Sequence, residues 1–257
     1  MEMLRYENVR LAYGEHVAAE LSFALHEREI TALVGESGSG KSTVLRAPLR
    51  TANGAEIAHG RILYRGKPVA AMTKKELREL RGAKIGMIFQ NAADSFCPVV
   101  KIGAQLHEIL SAHAKRTVAQ AKETALELFA KLRLDDGERI WNSYPFQLSG
   151  GMCARVGIAA ALLAQPELLL ADEPTAALDA EAKRQVMRTL LALRDRLGMS
   201  LLLVTHDMGV AAISDRTIVL KDGRVVESGT TREMFARPKE RYTEELLAAA
   251  TGLGRAI

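Results

Sequence analysis

Cysteine is scarce in this sequence of 257 residues: Cys97 and Cys153 are the only two, and they share no paired spacing. That excludes a disulfide framework and a thiolate metal site, and it fits a reducing compartment. Aromatic residues make up 5% and proline occupies 7 positions. Charge of one sign is never concentrated: 35 Lys and Arg face 31 Asp and Glu, a net +4 spread along the chain. Such a mild bias is too weak for a nucleic-acid footprint, so no nucleic-acid partner is expected. Met1 to Val9 lacks the apolar stretch of a secretory signal. The longest apolar run, Val156 to Ala164, stops at Gln165 and Pro166, far short of the roughly 20 residues that span a bilayer. Any membrane role must then run through a partner. What is abundant is core material, 48% hydrophobic residues with 20 Gly, enough for one large α/β domain or two small ones.

Short β-type runs occur at Leu4 to Val9, Ile30 to Val34, Ile85 to Phe89, Leu168 to Ala171, Leu201 to Val204 and Thr217 to Leu220. Several are apolar throughout, as strands covered on both faces of a mostly parallel sheet should be. Between them lie helical patterns. Ala121, Ala125, Leu128 and Leu132 recur at helical spacing, and Val186, Leu190, Leu193 and Leu197 do so before Gly198, a C-cap residue type. From about Gly103 to Trp141 the pattern is helical without a strand, which predicts a helical subdomain inserted into an α/β core.

The run Ile30 to Val34 enters Gly35-Glu36-Ser37-Gly38-Ser39-Gly40-Lys41-Ser42, the G-x-x-x-x-G-K-[ST] pattern between a strand and a helix. Glycines let the backbone wrap phosphate oxygens, and successive N–H groups plus the helix N-terminus supply partial positive charge. Lys41 is expected to reach the β and γ phosphates, and the Ser42 hydroxyl to ligate Mg²⁺. A second candidate is Asp172-Glu173 at the end of an apolar run, the edge where parallel sheets place ligands. There Asp172 would hold the Mg²⁺ shell and Glu173 would orient or deprotonate the attacking water. His206, after the run Leu201 to Val204, can help position that water. Leu148-Ser149-Gly150-Gly151-Met152 precedes a helix carrying Arg155, Ile158 and Leu162, and offers a second anion-binding surface. Two half-sites in one chain predict a head-to-tail dimer with each nucleotide shared.

In this order of motifs the sequence resembles the ATP-binding cassette (ABC) family over nearly its whole length. The resemblance implies a P-loop NTPase core with a mostly parallel sheet, an N-terminal antiparallel β part and an inserted helical subdomain. Residues 1–90 and 155–257 would form the core, and about 91–154 the helical subdomain with the signature. Within the resemblance Tyr13 is the adenine-stacking aromatic, and Gly35 to Ser42 with Thr43 form the phosphate loop. Gln90 is the Q-loop glutamine and a Mg²⁺ ligand with Ser42 and Asp172. Leu148 to Met152 is the signature acting on the neighbour's nucleotide, Ala177-Leu178-Asp179 the D-loop, and His206 the switch histidine. Glu173, His206, Lys41 and Gln90 are then the catalytic set, with ATP and Mg²⁺ as cofactors.

A closer likeness is to ATPase subunits of bacterial dipeptide, oligopeptide and nickel importers, with nickel-type and metallophore-type members nearest. It rests on Tyr144-Pro145-Phe146, Met152, Thr205-His206-Asp207-Met208-Gly209-Val210, and Pro238 followed by Tyr242-Thr243 and Leu246-Leu247. The likeness implies a peripheral protein on the cytoplasmic face of the membrane, powering import of a peptide, nickel or a metal chelate. Its partners would be a second homologous ATPase, in a heterodimer or else a homodimer, two transmembrane permease subunits and, indirectly, an extracytoplasmic substrate-binding protein. The sequence departs from the branch at Asn91-Ala92-Ala93 and Cys97-Pro98, after the Q-loop, and at Cys153-Ala154-Arg155, after the signature. The competing reading is a soluble cassette acting on DNA or ribosomes, for which the chain lacks a long coiled coil, a second cassette and a strong basic patch.

Overall fold

The computed structural model describes residues 1–51, 54–90, 95–113, 115–176 and 178–253. The first part of the chain runs β1 (Glu2–Tyr13), β2 (His16–His26), β3 (Ile30–Val34), α1 (Lys41–Arg46), β4 (Glu56–Tyr64), β5 (Lys67–Pro68), α2 (Lys74–Leu80) and β6 (Ile85–Ile88). Helices α3 (Ile102–Ser111), α4 (Val118–Lys131), α5 (Gly137–Asn142) and α6 (Gly150–Leu162) follow, then β7 (Leu168–Asp172) and α7 (Ala180–Leu197). The last part is β8 (Ser200–Val204), α8 (Met208–Ala211), β9 (Arg216–Lys221), β10 (Arg224–Thr230), α9 (Thr231–Ala236) and α10 (Arg241–Leu253). The chain divides into two compact units, residues 1–77 with 200–257, and residues 78–199.

In the first unit β2-β1-β4-β5 form an antiparallel sheet. Strand β3 pairs in parallel with both β8 and β9, and β10 lies antiparallel on β9. Every side chain of β3 and of β8 is buried, the pattern of strands covered on both faces. Burying each Leu, Ile or Val there contributes about 1.5–3 kcal/mol, so these strands are the firmest support available to whatever follows them. Tyr6 of β1 stacks on Phe23 with ring centroids 4.3 Å apart and donates its hydroxyl to the Val44 carbonyl at 2.7 Å. That bond ties the antiparallel sheet to α1.

In the second unit β6 and β7 pair in parallel, with Ile88 opposite Ala171. Among the described residues, the stretch from Gly103 to Trp141 holds helices and no strand, as the pattern predicts: most of α3, all of α4, and α5 up to Trp141. Gly103 lies so close to the Trp141 ring that a Cβ there would sit 2.3 Å from it, so only glycine allows α3 to pack on α5 in this way. Helix α4 starts at a capping box in which Thr117 and Gln120 exchange side-chain and backbone bonds. Helix α7 ends at Gly198 in the left-handed conformation, φ +67°, as its C-cap position requires.

Candidate nucleotide site

Each motif that the sequence singles out sits at the carboxyl end of a strand or the N-terminus of a helix. In the first unit the chain leaves β3 at Val34 and turns through Gly35 to Gly40 into α1. Gly35 is forced: at φ +153°, a Cβ would lie 2.1 Å from the Leu220 carbonyl oxygen of β9. Gly40, at φ +93°, is the N-cap of α1, and a Cβ there would lie 2.8 Å from the Ala18 carbonyl oxygen. Lys41 is buried, and its amine donates to the carbonyls of Gly35 at 2.9 Å and Glu36 at 2.5 Å, with the Ser39 hydroxyl at 3.4 Å. The ammonium is therefore folded back along the inside of the loop.

Two further predicted residues join the loop within this unit. Tyr13 ends β1 with its ring half exposed, and its hydroxyl lies 3.4 Å from that of Thr43, so an exposed aromatic face borders the helix that follows the loop. Leu33 of β3 stands in register with Val204 of β8, and Thr205 N–H donates to the Leu33 carbonyl at 3.3 Å. His206 follows, exposed, on the same sheet edge as the phosphate loop. Asp207 then caps α8 by accepting from Gly209 and Val210 N–H at 2.9 and 3.2 Å, which fixes the turn that carries the imidazole.

The second unit holds the acidic pair. Asp172 is the last residue of β7 and is 1% exposed, whereas Glu173 is partly exposed. Gln90, two residues after β6, donates its side-chain amide to Glu173 Oε2 at 3.0 Å. Glu173 itself has φ +46°, a left-handed conformation uncommon outside glycine and one that clusters at functional sites. No sequence signal announces that conformation. Ser42, Gln90 and Asp172, the residues expected to hold Mg²⁺, carry a hydroxyl, a carboxamide and a carboxylate, each an oxygen donor of the kind that Mg²⁺ takes. Because the Gln90 nitrogen bonds Glu173, the carboxamide oxygen is its remaining end for a cation.

The signature also lies in the second unit. Ser149 is the N-cap of α6, its hydroxyl oxygen accepting from Met152 N–H at 3.2 Å, and Gly150 has open space where a Cβ would go. Asp179 caps α7 by accepting from Ala182 N–H at 2.8 Å. Ala177 of the D-loop and Asn91-Ala92-Ala93 after the Q-loop lie outside the described residues. Sequence reasoning passed over two contacts. Arg155 donates to the carbonyls of Gly151, Leu132 and Arg133 at 3.2, 3.4 and 2.7 Å, joining the signature helix to the end of α4. Tyr242, noted in the sequence only for its family likeness, accepts a bond from the phosphate loop.

A Gly-rich loop between a buried strand and a helix, with a histidine after the strand β8 paired to it, and a carboxylate pair closing β7 in the second unit, are the features of the class of P-loop nucleotide-binding proteins. Residues 18–176 match the model of the ABC transporter family. The chain is 39% identical, over 91% of its length and 72% of the relative's, to a probable peptide ABC transporter ATP-binding protein of Sinorhizobium fredii. It is 41% identical to the oligopeptide transport ATP-binding protein AmiE of Streptococcus pneumoniae, over 89% of this chain and 65% of that one. It is 40% identical to the oligopeptide transport ATP-binding protein OppD of Bacillus subtilis, over 92% and 68%. The chain thus spans about two thirds of the length of these relatives. Among solved structures, the ATP-binding cassette MJ0796, captured as a dimer in a post-hydrolysis state with ADP and Pi, superposes with a TM-score of 0.80. It is 30% identical over 90% of this chain and 99% of that one. The chain belongs to the ABC transporter family and is an ATP-hydrolysing cassette of it, using ATP with Mg²⁺.

Proposed function

We propose that this chain is the ATPase subunit of a bacterial peptide importer, acting as one of a pair of cassettes on the cytoplasmic face of the membrane. The carrying observation is the identity of 39–41%, over about nine tenths of the chain, with proteins named for peptide and oligopeptide transport. Those names favour peptides over the nickel or metal-chelate cargo that the branch resemblance also allows, and give no support to a soluble cassette acting on DNA or ribosomes. Among the described residues no helix is long and apolar enough to cross a membrane, so two permease subunits would supply the path. The second cassette is a different, homologous chain in this proposal.

The chemistry follows from the residues at the strand ends. Lys41 and the loop amides hold the β and γ phosphates, with Tyr13 on the adenine and Thr43 beside it. Bound Mg²⁺ neutralises charge on the phosphates, and Ser42, Gln90 and Asp172 are the residues to hold it. Glu173 takes the proton of the attacking water, and His206 donates to the γ phosphate as charge develops there. Gln90, which bonds Glu173, links that base to the segment beyond β6. Ser149, the glycines of the signature and Asp179 serve the nucleotide of the neighbouring cassette. Residues 1–90 and 155–257 act as the catalytic core and 91–154 as the helical part bearing the signature.

A tagged chain recovered from detergent-solubilised host membranes tests this. Two membrane subunits and a second cassette, with ATPase activity that rises on adding peptide-loaded binding protein, is the expected result. Recovery of ribosomal or DNA-bound proteins with ATPase intact would overturn the transport reading and leave the catalytic one standing.

A further inference from the structure

Helix α10 is far from the phosphate loop in sequence, yet it reaches the loop directly. Tyr242, in its first turn, is 8% exposed and packs with Ala32 and Val34 of β3, Met208 and Ala211 of α8, Val219 of β9 and Met234 of α9. Leu246 and Leu247 of the same helix pack against this cluster. The ring is thus held by the strand that carries the loop and by the helix that follows His206. The Lys221 ammonium lies 4.6 Å from the ring centroid, over its face. From this fixed position the hydroxyl accepts the N–H of Glu36, the second residue of the loop, at 3.1 Å. That N–H therefore faces the protein body, and the Glu36 carbonyl in turn accepts the Ser39 N–H at 3.3 Å, so the peptide that Tyr242 holds also sets the turn that follows it.

We propose that Tyr242 is a positioning residue for the phosphate loop: its hydroxyl fixes the Glu36 peptide, and so the direction in which the following amides and Lys41 present themselves to nucleotide. A loop of this kind binds phosphate well only if its N–H groups are aimed before the ligand arrives, and Gly35 and Gly38 leave the first turn free to swing. The contact with Leu220 limits Gly35 on one side, and the Tyr242 hydroxyl anchors the next peptide on the other. Burial, with the nearby Glu36 and Asp222 carboxylates, pushes the phenol above its ordinary range, so the hydroxyl stays neutral and the anchor persists throughout the working pH range.

The inference rests on the phosphate-loop reading, and the test separates the two. Tyr242→Phe keeps the ring, its packing and the Lys221 contact while removing only the acceptor. Losing one hydrogen bond of about 1 kcal/mol corresponds to about a fivefold loss in affinity. MgATP titrations and steady-state ATPase assays on the full chain should give a KM and a dissociation constant about fivefold higher, kcat within about twofold of the parent, and a melting temperature lower by no more than about 2–4 °C. A packing role would instead leave Tyr242→Phe binding like the parent while Tyr242→Leu alone lost affinity, and that pattern overturns the proposal. Amide exchange is the second measurement: the Glu36 N–H should be protected in the parent and released in Tyr242→Phe, and free exchange in the parent overturns it equally. Lys41→Ala run in parallel reports on the loop itself. Undiminished MgATP binding by Lys41→Ala defeats the phosphate-loop reading, whereas loss there with no change in Tyr242→Phe defeats only the anchor.

Discussion

Gly35→Ala isolates the closest contact around the phosphate loop. An added Cβ would lie 2.1 Å from the Leu220 carbonyl oxygen and 3.0 Å from the Ser39 hydroxyl, at φ +153°. The serine can rotate, but the carbonyl belongs to β9, which is hydrogen-bonded to β3, so the loop has to move. Forcing an extra methyl into such a place costs about 1–3 kcal/mol, and the backbone conformation adds about 1 kcal/mol, giving about 3 kcal/mol together. At about 2–4 °C per kcal/mol for a chain of this size, the melting temperature should fall by about 6–12 °C. Gly38→Ala is the matched control. Its φ is +84°, yet nothing lies within 4 Å of the new Cβ, so only the backbone penalty of about 1 kcal/mol, or about 2–4 °C, should appear. Calorimetric melts of the parent and both variants without nucleotide measure the difference, and MgATP titration adds a second reading, with Gly35→Ala binding at least about tenfold more weakly as its amides are displaced. Melting temperatures for the two variants within about 1 °C of each other would refute the reasoning, because the Leu220 contact is what separates them.

Four other outcomes follow from the same coordinates. Glu173→Gln should bind MgATP like the parent and hydrolyse it orders of magnitude more slowly in single-turnover assays; parent-like turnover removes Glu173 from the role of base. Arg155→Ala gives up three carbonyl partners at the junction of α4 and α6, and a fall of about 2 kcal/mol in urea-unfolding free energy is expected, with a midpoint unchanged from the parent as the contrary result. Asp179→Ala removes the N-cap of α7, a loss of about 1 kcal/mol by the same assay, which Asp179→Ser should largely restore. Burial raises the Cys153 thiol above its ordinary value and so keeps it protonated, while Cys97 is exposed. Maleimide at neutral pH should then label one thiol per native chain and two after denaturation, and rapid native labelling of Cys153 would contradict its placement.

The parts of the fold legible in the sequence are those whose burial is uniform. β3, β7 and β8 are buried along their whole length and read directly as apolar runs, and α7 reads from its leucine spacing and Gly198. β2 and β4 are not legible in this way, because the first mixes burial states and the second is mostly exposed, with Glu56, His59 and Arg61 on it. The β1–β4 pairing is also irregular, with shifts on either side of Arg10; a Cβ on Gly60 would lie 2.2 Å from the Asn8 carbonyl oxygen. That breaks the alternation by which half-buried strands are recognised. The phosphate loop was legible because one short segment contains all of its chemistry. The Tyr242 contact was not, since the hydrogen bond joins residues 206 positions apart. The Arg155 ties to Leu132 and Arg133 are of the same kind, set by tertiary packing and not by local spacing.

The close approach of Gly103 to Trp141 makes this chain its own optical probe. The sequence has a single tryptophan, and its indole is 7% exposed in the helical part of the second unit. Emission excited at the red edge of the tyrosine band therefore originates from one known place. A change in its wavelength or quenching on adding nucleotide or a partner reports rearrangement of α3 against α5, while melting confined to the first unit leaves that signal unchanged. Unlabelled protein thus supports experiments that would otherwise need an engineered fluorophore.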